Sequence, residues 1–186
     1  MAKINPKRES LIEAASKLFL QQGVSSTTLA MIAQLAQVPL GNVYYYFKSK
    51  EAIVAAVIER RKAKIKGLVA QWNALPTPAE RLVAFILHGA DAAENAVVDG
   101  DSLGNLCQEL SKQGGDIAKE ATCLMQELLF WAEEQYTQMG RTTEEAKNLS
   151  FSLLSSLHGL SMLSITFRSP DFIKSQVEYL KNTVAA

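Results

Sequence analysis

Between Leu18 and Phe47 the chain carries no charged residue, and Lys48 and Lys50 follow at once. A lysine ammonium holds a phosphate as a point charge, which supplies affinity without sequence information. Just upstream, Val43 and Phe47 stand at the i, i+4 spacing of an inward helical face, which leaves Leu40, Gly41, Asn42, Tyr44, Tyr45 and Tyr46 outside. Asn42 has the paired donor and acceptor that match adenine, and Leu40 and the tyrosines can pack on thymine methyls. Uncharged base readers beside phosphate-binding cations point to double-stranded DNA. No comparable set supports catalysis: the sequence has no Gly-rich phosphate loop, nucleophile elbow or closely paired catalytic carboxylates. Glu133-Glu134 and Glu144-Glu145 read as solvated faces. Cys107 and Cys123 are too few for a disulfide framework, and no Cys or His cluster has zinc spacing. We expect no enzyme, no metal and no cofactor.

The elements that must position these residues can be read from spacing. Leu29, Ile32, Ala33 and Ala36 form the inner stripe of a short helix, with Ser26 or Thr27 placed to cap it. Gln37 and Val38 make a turn, and Pro39 suits the first position of a second helix because it has no N–H to lose. Together they form a helix-turn-helix. Here the chain resembles the TetR-type (tetracycline-repressor) family of one-component transcriptional regulators, through LIEAASKLFLQQGVSSTTLAMIAQLAQV and on through GNVYYYFKSKEAIVAAV, roughly residues 8 to 58. The resemblance implies an all-α protein, a three-helix DNA-binding domain followed by a ligand-binding and dimerisation bundle. It also implies backbone contacts to DNA from Thr28, Tyr46 and Lys50. Two positions depart from the family pattern: Gln37 stands where a turn glycine is usual, and Pro39 where a capping serine is common.

Net charge is zero, but residues 1 to 66 hold 11 Lys and Arg against 4 Asp and Glu, and the remainder holds 8 against 15. A basic head meets phosphates while an acidic body stays off them. We divide the chain into a DNA-binding domain, 1–49, and a helical domain, 50–186. Start signals give about nine helices. Asn5-Pro6 opens the first and Gly23 ends it; Ser49 caps a long helix to about Trp72. The capping box Thr77-Pro78-Ala79-Glu80 starts one reaching about Glu94, with Asn95 to Ser102 a loop. Helices follow at about 103–112, 116–139 and 143–167, the last of these opened by another capping box at Thr142 and Glu145, and at 170–183. No run is expected to approach the length needed to cross a bilayer, and MAKINPKRES lacks the apolar core of a signal peptide, so we expect a cytoplasmic protein.

The bundle has two tasks to perform, dimerising and sensing. The helix Thr143 to Phe167 has no charge between Asn148 and Phe167, so Phe151, Leu154, Ser155, His158, Gly159, Met162 and Ile165 can be buried against a second copy. The final helix is expected to add Phe172, Ile173, Val177 and Leu180. A homodimer through 143–167 and 170–183 matches the two half-sites that helix-turn-helix proteins read. For sensing, His88, Leu106, Cys107, Leu110, Met125, Trp131, Phe151, His158 and Met162 could line an apolar cavity with a few polar handles. Few bases lie there, which favours a neutral or cationic lipophilic effector. Gly100 to Leu106 looks like a Gly-Cys-x-x-Gly-Asn-Leu stretch of one family branch, with Asp101 at the cysteine position. We therefore read the chain as a DNA-binding repressor released by a small molecule. The alternative is a DNA-binding factor of the same fold whose C-terminal domain binds a protein partner.

Overall fold

The structure is a computed structural model of the chain. It describes residues 5–99, 103–167 and 171–185, without the side chains of 94–99, 171, 172 and 185. Among the described residues the order is α1 (Pro6–Ser26), α2 (Leu29–Leu35), α3 (Leu40–Tyr46), α4 (Lys50–Asn73), α5 (Pro78–Asp99), α6 (Gly104–Gln113), α7 (Gly115–Gln138), α8 (Thr143–Phe167) and α9 (Asp171–Ala185), with no strand. Local signals account for most of these bounds. Asn5 Oδ1 accepts the Lys7 N–H to start α1, and both capping boxes form: Glu80 accepts from Thr77 and Glu145 from Thr142, with each threonine hydroxyl accepting in return. Gly140, at φ 88°, closes α7.

The described chain divides into two compact units, Met1–Ala63 with Ser102–Thr122, and Lys64–Asp101 with Cys123–Ala186. Compactness thus draws the boundary elsewhere than the expected division after residue 49, because α6 packs on α1 and groups, together with the first turns of α7, in the same unit. In the first unit α1 lies against α2 and α6, burying Leu11, Ile12, Ala15 and Phe19, while Leu106, Cys107 and Leu110 are buried from α6. In the second, α5 packs on α8 and α9. The α5–α8 approach is close at Gly89, where a Cβ would lie 2.8 Å from Leu157 Cδ2, so only glycine fits without displacing that leucine.

Three expectations require correction. Helix α5 continues through the expected loop to Asp99, because a lone Asn95 is a weak stop and no Gly or Pro interrupts the run from Asn95 to Asp99. Ile173, Val177 and Leu180 do not face outward from α9: all are buried, their i, i+4, i+7 stripe being spent inside the bundle. The side chain of Phe172 and all of Pro170 lie outside what is described. Finally, α8 is long and apolar enough to cross a membrane by length and composition, with an 18-residue window of mean hydropathy 1.3, a third of it buried. Its serines hide that character from inspection. The buried residues Ser150, Leu153, Leu157, Leu160, Ser161 and Ser164 form the face that packs within the protein.

Candidate nucleic-acid interface

The helix-turn-helix is built from backbone geometry outward. Thr28, not Ser26 or Thr27, is the cap of α2, its hydroxyl accepting the Met31 N–H at 3.2 Å. Thr27 is buried and turns inward to donate to Gly23 O at 2.7 Å, which is why it is not available to cap. Gln37 adopts φ 55°, the single positive φ among described non-glycine residues, and lets Val38 N–H return to Ala33 O at 2.9 Å. Pro39 sits at the cap position of α3, with extended backbone and no side-chain cap bond, one residue earlier than expected. Asn42 N–H reaches Pro39 O at 2.8 Å and closes the first turn.

Val43 and Phe47 are buried, which anchors α3 by one face and fixes the other outward. Pro39, Gly41 and Asn42 are exposed, as are Leu40, Tyr44 and, at 77%, Tyr45. Tyr46 is half-buried and meets the Tyr45 ring edge-on at 5.0 Å. Thr28 and Lys48 are exposed. Lys50 is half-buried, and its Nζ donates to Ser25 O at 3.3 Å, leaving two of its three N–H donors for other acceptors. From α1, the Arg8 guanidinium stacks 5.2 Å from the Phe47 ring centroid. The sequence-predicted DNA residues therefore all belong to the first unit, exposed except for the half-buried Tyr46 and Lys50. Between α1 and α4 an open groove of about 550 Å³ carries both signs, Arg8 and Arg60 against Glu9, Glu59 and Glu120.

Residues that spacing alone does not point to hold this surface in place. Glu109 of α6 accepts from Val24 N–H at 2.7 Å and from Ser25 N–H and Ser25 Oγ at 2.6 Å each. Burial pushes its carboxyl up, but those donors and the nearby Lys50 charge hold it below the ordinary value. No local pattern signals a pairing across 84 residues.

The residues expected to line an effector cavity fall in both units. Leu106, Cys107 and Leu110 are buried in the first, with Cys107 Sγ 3.2 Å from Ala121 O. In the second, Trp72 stacks with Phe85, His88 and Trp131 at centroid distances of 5.2, 5.7 and 5.0 Å, and Trp131 Nε1 donates to Asn73 Oδ1 at 2.8 Å. Burial, then the Lys64 charge, holds the His88 imidazole below its usual value, with Asp91 opposing. Met125 and His158 are half-buried, whereas Phe151 and Met162 are exposed on α8, at 50% and 60%. Cys123 is exposed, and Asp101 lies outside the described residues.

Residues 11–57 match the family model for bacterial regulatory proteins, tetR family. The chain is 27% identical over 165 residues to the HTH-type transcriptional regulator LmrA of Bacillus subtilis, covering 87% of this chain and 88% of that one. It is 41% identical over 56 residues to the HTH-type transcriptional repressor NemR of Escherichia coli, a match spanning 30% of this chain and 28% of the relative. In fold it is similar to a TetR transcriptional regulator from Legionella pneumophila, with TM-score 0.85 at 18% identity over 98% and 99% of the two chains. Helix-turn-helix geometry, an uncharged exposed face on α3 and these likenesses agree: residues 11–57 form a DNA-binding domain of the tetR family of bacterial regulatory proteins, and the chain is a DNA-binding transcriptional regulator, not an enzyme.

Proposed function

We propose that this regulator is a homodimeric repressor that leaves its operator when a small molecule occupies its C-terminal unit. The observation that carries the reading is the face of α3, anchored by Val43 and Phe47 and open at Leu40, Asn42, Tyr44 and Tyr45. Asn42 and Leu40 read base edges, Thr28, Tyr46, Lys48 and Lys50 hold phosphates, and Pro39 and Gly41 let backbone approach the duplex. Two copies associate through the side of α8 that the bundle leaves uncovered. Phe151, Ser155 and Met162 are exposed there and Gly159 half-buried, at helical spacing. Tyr179 of α9 is exposed as well, at 62%. The effector is a neutral or cationic lipophile, received near Trp131, His88, Met125 and His158, and it releases DNA by binding the incompetent arrangement more tightly.

Selecting duplexes from a random-sequence library with the purified protein tests the first part. An inverted repeat with half-sites about 34 Å apart is expected, and sites without two-fold symmetry would sink the dimeric reading. Placed between a promoter and a reporter, the selected duplex should lower expression when the protein is present. A rise would overturn repression. A second reading, in which the C-terminal unit binds a protein partner, is favoured by Phe130, 60% exposed on α7, and by the close stacking of Trp72, Phe85 and Trp131.

A further inference from the structure

We propose that Glu109 is a positioning residue for DNA reading: from α6 its carboxylate holds the broken end of α1 and thereby sets where the helix-turn-helix begins. The role rests on the DNA-binding surface described above. Gly23, at φ 81° and ψ 165°, interrupts α1 and starts a fresh turn at Val24. The first amides of a helical turn have no carbonyl one turn back to receive them. Glu109 takes both, Val24 N–H and Ser25 N–H, together with the Ser25 hydroxyl, in three short charge-assisted bonds. A side chain at the break would be strained by the φ of 81°, and its Cβ, 2.9 Å from Glu109 Oε2, would push the carboxylate aside.

From that anchor the bonds run straight into the reading surface. Thr27 Oγ1 donates to Gly23 O, and Gln22 Nε2 donates to Ser26 O at 3.2 Å, so residues 23–27 form one braced piece. Thr28, the next residue, caps α2. Ser25 also receives Lys50 Nζ on its carbonyl and Gln113 Nε2 on its hydroxyl at 3.4 Å. One serine thus ties α6 to both ends of the helix-turn-helix.

A carboxylate this close to Lys50 makes the test a matter of sign. Were Glu109 only a background negative charge, Glu109→Gln would tighten binding to every duplex, because removing it strengthens the positive field. A positioning role requires the opposite at the operator. We expect Glu109→Gln to weaken binding of the duplex selected by the unmodified protein by about tenfold or more, while a random duplex of equal length is bound as tightly as before or more so. Ser25→Ala, which removes one of the three bonds and no charge, should lose about threefold at the operator only. Circular dichroism reports that helical content is kept, and Ser25→Ala decides the matter if the glutamine variant does not fold. Operator affinity unchanged or raised in the folded variants would overturn the role. Failure of the unmodified protein to select any duplex would overturn the DNA reading itself.

Discussion

Gln37→Gly should stabilise this protein, and the size of the gain follows from one backbone angle. At φ 55° Gln37 occupies the left-handed region, where Cβ crowds the following carbonyl and an L-residue costs about 1–2 kcal/mol. Glycine removes that cost but enlarges the unfolded ensemble, which returns about 0.4–1 kcal/mol. The net gain is about 1 kcal/mol, or a rise of about 2–4 °C in Tm for a chain of this length. The side chain is exposed, and the bonds that hold the turn, Gln37 N–H to Gln34 O at 3.1 Å and Val38 N–H to Ala33 O, are backbone bonds that glycine keeps. Gln37→Val supplies the opposite perturbation, since a β-branched residue fits the left-handed region worst. Thermal melts followed by far-ultraviolet circular dichroism should rank glycine above glutamine above valine. A glycine variant no more stable than the original, or a valine variant equal to it, would show that the turn is not left-handed.

Lys50→Ala should weaken binding to all duplexes evenly and flatten the slope of log affinity against log salt by about one charge; an unchanged slope removes Lys50 from the phosphate contacts. Asn42→Ala should cost about 1–3 kcal/mol at operators with A·T pairs opposite it and relax the preference there, an assignment that selected operators with G·C at those positions would refute. Gly159→Trp should give a monomer of normal helical content with weak operator binding, because a Cβ at Gly159 meets nothing within 4 Å among the described residues while the added ring overpacks the proposed crossing with the partner; a dimer by sedimentation would disprove the interface. His88 is held neutral below its ordinary value of 6.5, so the stability it contributes is full above that pH and is lost as pH falls toward the lower folded value. His88→Gln should remove that part of the decline, and a melt series of identical pH dependence would exclude it.

What the sequence made legible were features written within one helical turn. The boxes at Thr77–Glu80 and Thr142–Glu145 and the Val43–Phe47 anchor each need only residues three or four apart. Facing is harder. The stripe Ile173, Val177, Leu180 announces a buried side of α9, but periodicity says that a face is covered and not by what, so an intrachain contact with α5 was indistinguishable from a dimer seam. Thr27 and Thr28 are chemically alike, and which one caps α2 was decided by the carbonyl of Gly23, freed where α1 breaks. Glu109 was the least legible, because its partners lie 84 and 85 residues away and an acidic residue on a short helix ordinarily reads as solvated.

The placement of α6 bears on how interchangeable such reading heads are. A chimera cut after residue 49, or a head expressed alone to residue 63, would discard the helix that supplies Leu106, Cys107 and Leu110 to the same core and Glu109 to the end of α1. It would leave an apolar scar and two unreceived amides beside the very helices being transplanted. Exchange of DNA specificity between relatives therefore calls for a two-piece graft, residues 1–63 together with 102–122. Recombination at the obvious seam is disfavoured, because it parts α6 from the α1 it packs against.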